Sequence, residues 1–192
     1  MGAPFSNVFF SLQLLPILDD DIIRLRALEK SDLQVIYSLE NLSQLWRSSA
    51  TLAPYSLRNV MEYLQSYEAD PFHSGELRLM IEVKDGEVPA GLVDLYEVEV
   101  RHRRANVGII ISPEHQRRHL ALRALRLLCR YCERHLGLHQ LLAYVPADNE
   151  PSLALFERAG FSRVASLPHW LSSENGWTDA FVLQKFLNDI SK

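Results

Sequence analysis

Short apolar stretches, several of them alternating with polar residues, predict the β-strands of this chain. Alternation means that every second side chain is apolar, as in a strand that buries one face. The wholly apolar stretch Leu141–Val145 fits a strand that helices cover on both sides. Asp85-Gly86 is typical of a hairpin turn. The predicted strands are Ile22–Leu28, Leu77–Val83, Ala90–Val98, Ala105–Ile111, Leu141–Val145 and Ala180–Phe186.

Apolar residues at helical spacing predict the helices. The strongest pattern runs from Ala121 to Cys132, with apolar residues at i, i+3, i+4, i+7 and i+11 and Gly137 as a plausible stop. Another helix is predicted from Tyr55 to Tyr67. The first helix begins at the caps Ser31 and Asp32 and runs through Leu39, and the last lies between the cap Asn149, with Pro151 in its first turn, and Gly160. The element order is β-α-α-β-β-β-α-β-α-β-β, an α+β protein with a mixed sheet.

Length and composition favour one compact domain. The 192 residues, 47% of them hydrophobic, are enough to bury a core. The chain contains no repeat, low-complexity run or obvious linker. We therefore predict an N-terminal arm at residues 1–21 and a single domain at residues 22–192.

Charge and cysteine content narrow the functional class. A formal net charge of −4 argues against nucleic-acid binding, and no apolar run reaches the ~18 residues that a membrane span needs. Cys129 and Cys132 fall in one predicted helix, which favours a reducing, cytoplasmic setting over a disulfide framework. Their spacing resembles half of a zinc site, but no second pair completes it, so we predict no metal.

The turn between the strand ending at Ile111 and the following helix carries the candidate chemistry. Free backbone N–H groups and the helix dipole make such a turn a site for anions. Arg117, Arg118 and His119 add charge or hydrogen-bonding groups around it. The turn therefore predicts a phosphate or diphosphate site, with a solvated polar first turn as the open alternative.

Several blocks of sequence together resemble the spermidine N-acetyltransferases of the GNAT superfamily. The blocks are Gly91–Glu97, His102–Ala105 and Ile109–Ala121, and Asn149–Phe161 is similar to the second cofactor motif of that superfamily. The ribosomal-protein N-terminal acetyltransferases share these motifs. The resemblance implies the GNAT fold: a mixed, mostly antiparallel sheet with a splayed central strand pair and helices on both faces.

The resemblance also implies acetyl-CoA as cofactor. Strand residues would pair with the pantetheine arm, and a backbone N–H near Ile110 would stabilise the oxyanion. The loop and first helical turn would hold the diphosphate. The connection Arg101–Arg104 is either an exposed hairpin end or a contact for the CoA 3′-phosphate. The implied cofactor contacts are Ile109, Ile110, Ile111, Gln116, Arg117, Arg118, His119, Leu120, Ala121, Leu122, Asn149, Ser152 and Phe156.

A carboxylate is expected to help the acceptor amine lose its proton, because an alkylammonium has a pKa of about 10.4. Glu97 is the first candidate for this catalytic role, ahead of Asp94 and Glu99. Regular strand alternation predicts Glu97 and Glu99 on one face and Asp94 on the other. Trp46 and Tyr55, together with Asp94 and Glu97, are implied to shape the acceptor site.

Two departures from the family pattern bear on activity. Where the family loop reads Gln-Gly-Lys-Gly-Leu-Ala, this chain has Arg117 and His119 at the two glycine positions. If both residues need a positive φ, each costs about 1 kcal/mol or more, and cofactor binding is expected to be weakened or reshaped. Phe156 stands where many members place a tyrosine that protonates the thiolate. Loss of that acid is expected to slow the reaction without preventing it, and water or Tyr144 could substitute. Phe156 is also compatible with a simple position in the core.

The sequence therefore predicts an acetyl-CoA-dependent N-acetyltransferase whose acceptor, a primary amine, attacks the thioester directly. The acceptor is a polyamine-like small molecule or a protein N-terminus. The alternative is a catalytically weak or inactive GNAT-fold module that binds CoA and regulates. A homo-oligomer is compatible with both.

Overall fold

The computed structural model describes residues 17–43, 46, 51–173 and 176–187. Within them one sheet of seven strands has the order β1-β2-β3-β4-β5-β7-β6. Neighbouring strands are antiparallel except β4 and β5, which are parallel. The strands are β1 (Ile23–Arg26), β2 (Leu77–Val83), β3 (Val88–Glu99), β4 (Arg104–Ile111), β5 (Gln140–Pro146), β6 (Ser162–Ser173) and β7 (Gly176–Phe186).

Helices cover both faces of the sheet, as the resemblance implied. One face, here called the α4 face, packs against α4 and α5 through residues such as Leu125 and Phe156. The other, the α1 face, packs against α1 and α2 through Ile36, Val60 and Met80. The helices are α1 (Leu33–Glu40), α2 (Leu57–Ser66), α3 (Pro71–Ser74), α4 (Leu120–Arg134) and α5 (Glu150–Arg158), with 3-10 turns at Lys30–Asp32 and Pro113–His115.

The two central strands separate along their length. Pairing between β4 and β5 runs from Arg104 opposite Gln140 to Asn106 opposite Leu142. Both strands continue beyond that point, to Ile111 and Pro146, without pairing to each other. The predicted splay of the central pair is confirmed, and it opens an internal edge in the middle of the sheet.

The helix boundaries confirm some sequence signals and correct others. Asn149 caps α5 by accepting a hydrogen bond from the backbone N–H of Ser152 at 3.2 Å, and Gly160 follows the helix with a φ of +90°. Asp32 does not cap α1 with its side chain, because both of its oxygens accept from the Arg26 guanidinium at 2.8 Å.

The C-terminal strands are longer than the alternation predicts. β7 begins at Gly176 rather than at the predicted Ala180. The strand before it, β6, is present in the predicted order of elements, but the sequence gives no bounds for it. Most of β6 is exposed, so no pattern of buried residues marks it. Exposed strands of this kind carry little signal in the sequence, because neither face has to be apolar.

The start of the described chain is tied to the body by ion pairs. Lys84 Nζ lies 2.9 Å from an Asp19 oxygen, and Arg123 lies 2.9 Å from Asp20 and 2.6 Å from Asp21. Residues 1–16, most of the predicted arm, lie outside the described residues. The arm therefore stays a prediction.

The cysteines pack inside α4. Burial raises the pKa of the Cys129 thiol and, well above its usual value, that of Cys132. Both thiols are therefore poor nucleophiles and poor metal ligands. Among the residues that the structure describes, no group of three or more His, Cys, Asp or Glu is placed to hold a metal, and no helix is long and apolar enough to cross a membrane.

Candidate active site

Hydrogen bonds to β3 fix Ser112, the first residue of the turn from β4 into α4. Ser112 is buried, and both its backbone N–H and its hydroxyl donate to the Ala90 carbonyl, at 2.9 and 3.1 Å. A 3-10 turn follows at Pro113–His115, and α4 begins at Leu120. The loop between them is thus anchored to β3 at one end and to the α4-face core at the other.

Both residues at the family's glycine positions adopt the left-handed conformation. Arg117 has a φ of 61° and His119 a φ of 60°. Their side chains are exposed, so the backbone keeps the shape that glycine would give it while the side chains extend into solvent. The sequence left open whether these residues need a positive φ, and the structure shows that they do.

Glycine at these two positions is expected to stabilise the fold. Arg117→Gly and His119→Gly each relieve the left-handed strain at some cost in unfolded-chain entropy, for a net gain of about 0.5 kcal/mol per site. Urea denaturation measures the gain. The matched control is Arg118→Gly, since Arg118 is not among the residues with positive φ and should gain nothing. Equal losses at all three positions would contradict the strain argument.

Backbone N–H groups are available around this turn. Within the described chain, none of the amides of residues 117–122 donates a hydrogen bond. Gln116 Nε2 donates to the Ile111 carbonyl at 3.2 Å, and an Arg118 guanidinium nitrogen lies 3.1 Å from His115 Nδ1. The turn therefore offers a run of free donors at a helix N-terminus, which suits a diphosphate.

The register of β4 decides which amides face the splay. The Ser112 N–H donates to Ala90 on β3, and hydrogen-bonded pairs alternate along an antiparallel ladder. The Ile110 N–H therefore also points to β3, whereas those of Ile109 and Ile111 point to the open gap. The oxyanion donor was expected near Ile110, and on this register the N–H groups that face the gap belong to its neighbours Ile109 and Ile111. The Ile110 side chain packs against the α1-face cluster. The role of these amides stays a prediction.

The second cofactor motif begins α5. Asn149 uses its side-chain oxygen to cap the helix at Ser152, which leaves its amide nitrogen as a donor. Phe156 lies in the core, 3% exposed, with its ring edge-on to Phe161 at 5.1 Å. Phe156 thus has a packing role in this structure.

A β-bulge interrupts β3 where the sequence assumed regular alternation. The irregularity lies between Tyr96 and Glu99, and Glu97 has a φ of 51°. Asn106, 5% exposed, donates from Nδ2 to a Glu97 carboxylate oxygen at 2.5 Å. The prediction that Glu97 lies across the sheet from Asp94 is therefore wrong, because Asn106 holds the Glu97 carboxylate on the α1 face.

Asp94 is already paired with a cation, which it shares with Glu40. The Arg78 guanidinium lies 2.9 Å from Asp94 and 2.6 Å from Glu40. Burial raises the pKa of Asp94, and the neighbouring Arg78 opposes that shift. Glu97, in contrast, is exposed and forms no ion pair within the described chain. Of these carboxylates, Glu97 is the better placed to meet a second cation.

Trp46 and Tyr55 lie beside the end of α1. The Trp46 indole N–H donates to the Glu40 carbonyl at 3.1 Å, and the Tyr55 N–H donates to Asn41 Oδ1 at 2.9 Å. Tyr55 is 43% exposed. Both residues border the α1 face near Arg78, which is compatible with the implied acceptor site.

The basic connection Arg101–Arg104 lies at one end of β4, and the turn into α4 lies at the other end. β4 has 8 residues, which at ~3.3 Å each separates the two ends by about 25 Å. Arg103 Nε donates to the Gly137 carbonyl at 2.7 Å. The geometry therefore favours the exposed hairpin end over a contact with the CoA 3′-phosphate.

Three residues around the splay were missed by sequence reasoning. Tyr96 on β3, Asn106 on β4 and Gly108 on β4 all belong to the α1 face. The signal was available only in part: Asn106 is a polar residue between two apolar ones, but its partner Glu97 depends on a bulge that alternation conceals.

The central strands open beyond Asn106 and Leu142, and the turn into α4 keeps a left-handed backbone at both glycine positions. This is the arrangement that the resemblance implies for an acetyl-CoA-dependent N-acetyltransferase. Residues 23–162 match the family described as an acetyltransferase (GNAT) domain, and the chain belongs to that family. It is an N-acetyltransferase that uses acetyl-CoA, with the GNAT fold.

Relatives of known activity include two spermidine N(1)-acetyltransferases. The protein of Escherichia coli strain K12 is 36% identical over 147 residues, which are 77% of this chain and 76% of the relative. The protein of Vibrio cholerae is 30% identical over 173 residues, covering 86% and 96%.

Solved structures agree with these relatives. The spermidine N-acetyltransferase of Vibrio cholerae in complex with CoA and spermine superposes with a TM-score of 0.76 at 28% identity, over 86% of this chain and 95% of that one. A dodecameric structure of the same enzyme in an intermediate state has a TM-score of 0.71 at 28% identity, over 86% and 94%.

Proposed function

We propose that this chain acetylates a primary amino group of a polyamine, with acetyl-CoA as the donor. The observation that carries the proposal is the Glu97 carboxylate, which is exposed, held by Asn106 and free of any described cation partner. Asn106 is also the last β4 residue that pairs with β5, so the carboxylate lies where the sheet opens. The polyamine activity of the relatives supports the same assignment.

The cofactor half of the site is assigned to β4, the turn and α5. The amides of Ile109 and Ile111 would bind the thioester carbonyl and the pantetheine arm. The free N–H groups of residues 117–122 would bind the diphosphate, with the charge of Arg117 and Arg118 around it. Asn149 would donate its amide nitrogen to the pantetheine.

The acceptor half of the site is assigned to Glu97. An alkylammonium with a pKa of about 10.4 carries its proton at neutral pH and must lose it before attack. The Glu97 carboxylate draws the ammonium group to the gap and takes the proton, directly or through a water molecule. The free amine would then attack the thioester carbon, with an amide N–H stabilising the oxyanion. Collapse of the adduct would break the C–S bond, and the remaining ammonium proton would pass to the departing CoA thiolate or to water.

The test is a thiol-release assay with acetyl-CoA and a panel of amines. We expect spermidine and spermine to be acetylated well above the no-amine blank. A peptide with a free N-terminus and an aminoglycoside are the comparison acceptors. Turnover of the peptide alone would overturn the polyamine assignment, and CoA binding with no turnover of any amine would favour the regulatory module.

We also propose that the chain assembles with copies of itself. The dodecameric structure of a relative supports assembly. On this chain the β6–β7 hairpin exposes large apolar side chains, among them Trp170 at 55% and Trp177 at 64%. Light scattering after size exclusion measures the mass, and a monomer at micromolar concentration would contradict the proposal.

A further inference from the structure

A gap in the row of side chains lies beside the splay, on the α1 face of β4. Gly108 is the β4 residue between Asn106 and Ile110 on that face, and it carries no side chain. Among the residues that the structure describes, a Cβ placed there would meet one atom within 4 Å, Cε1 of Tyr96 at 3.8 Å. The glycine thus leaves a small open space where its neighbours on the strand fill theirs.

Two tyrosines stand on either side of this space. Tyr96 lies on β3 opposite Asn106, and its ring edge reaches toward Gly108. Asn106 also pairs with Leu142 on β5, so Tyr144, two residues further along β5, lies on the same face as Gly108, across the opening between the strands. Tyr96 is 36% exposed and Tyr144 43%, so both rings remain open to a ligand. We call the space between them the Gly108 notch.

The notch has the chemistry of a slot for an alkylammonium chain. Aromatic faces attract cations and cover methylene groups, and no side chain stands at its floor. The Glu97 carboxylate lies beside it, since Asn106 holds Glu97 and pairs with Tyr96. Burial first, then the negative charges of Glu97 and Asp94, raise the pKa of Tyr96 to about 12. The Tyr96 ring therefore stays neutral at physiological pH and its hydroxyl stays a donor.

We propose that the Gly108 notch receives the unbranched carbon chain next to the reacting amine and so selects linear aminoalkyl acceptors. A peptide N-terminus carries a side chain and a carbonyl on the carbon beside nitrogen, and these groups do not fit between the two rings over a bare backbone. The inference rests on the proposed acetyl transfer to a polyamine, and it names the residues that set acceptor choice.

The test places a side chain at Gly108 so that it fills the Gly108 notch. Gly108→Val adds a side chain at a position with ordinary strand φ, where β-branched residues are favoured, so the fold should tolerate it. We expect the KM for spermidine to rise by about tenfold or more, the size of effect that a few methyl groups exert in a pocket, with kcat changed less. The Kd for CoA should stay within about twofold, because the amides of Ile109 and Ile111 lie on the strand edge.

Matched variants separate the notch from a general effect on β4. Tyr96→Phe keeps the ring and should keep the KM, whereas Tyr96→Ala removes one wall and should raise it. Gly108→Ala should fall between wild type and Gly108→Val. An unchanged spermidine KM in Gly108→Val, with CoA binding intact, overturns the inference.

Failure of the proposed function has a different readout. In that case the wild-type protein turns over no polyamine, whatever the variants do. If wild type acetylates spermidine but Gly108→Val loses CoA binding or unfolds, the two Tyr96 variants decide. Equal KM values for Tyr96→Ala and Tyr96→Phe overturn the inference. A raised KM in Tyr96→Ala alone supports it.

Discussion

Glu97→Gln is expected to lower kcat/KM for spermidine by roughly 10²-fold or more at pH 7, which is the usual size of general-base assistance. Gln keeps an oxygen for the Asn106 amide, so the carboxylate charge and basicity are lost while the geometry is kept. Without the base, the rate depends on the small fraction of free amine. The deficit should therefore shrink as pH rises toward the amine pKa of about 10.4.

Thiol-release kinetics from pH 6.5 to 9.5 give both signals. The control is Glu99→Gln, since Glu99 accepts from the Arg101 backbone N–H at 3.0 Å, at the hairpin end of the strand. Its activity should match wild type. A Glu97→Gln enzyme with full activity at pH 7 would remove Glu97 from the proton-transfer role.

Glu82→Ala is expected to cost about 3 kcal/mol of folding free energy. The substitution removes the carboxylate that Arg24 and Arg26 share and leaves a buried cavity beside their guanidinium groups. Glu82 is 3% exposed on β2 and accepts from Arg24 at 2.5 Å and from Arg26 on β1. The cost lies at the lower end of the range for broken buried pairs, because Arg26 keeps Asp32 and Arg24 keeps Glu87.

Urea denaturation measures this loss, with Glu62→Ala as the control. Glu62 pairs with Arg58 four residues away at 2.7 Å, but both side chains are largely exposed. Exposed pairs of that kind contribute about 0.5 kcal/mol. Similar losses in the two variants would show that the Glu82 network does not act as a buried charge cluster.

β2 is an element whose bounds the sequence predicted well. It matches Leu77–Val83 because every second residue of that stretch packs into one core cluster, although Met80 and Glu82 on the other face are buried as well. In α4 the apolar stripe was identified, yet burial extends beyond it to residues such as Leu122 and Leu127, since the helix lies deep against the sheet. The bounds of β6 could not be predicted, because almost none of its side chains are buried.

The candidate site divides in the same way. The turn from β4 into α4 could be predicted because it depends on local order, a strand followed by a helix N-terminus, while its role in diphosphate binding stays a prediction. The environment of Glu97 could not, since a bulge re-aims its side chain and its partner Asn106 comes from the next strand. The masking of Asp94 by Arg78 is likewise a contact between strands that no single stretch of sequence reveals.

Among the described residues, the splay leaves the facing edges of β4 and β5 unpaired with each other beyond Asn106 and Leu142. Edges that lack a partner are templates for further strands, and most proteins confine them to the rim and blunt them. A pantetheine arm bound along this edge would cover it. The ligand-free protein is therefore expected to aggregate more readily than the CoA-bound protein.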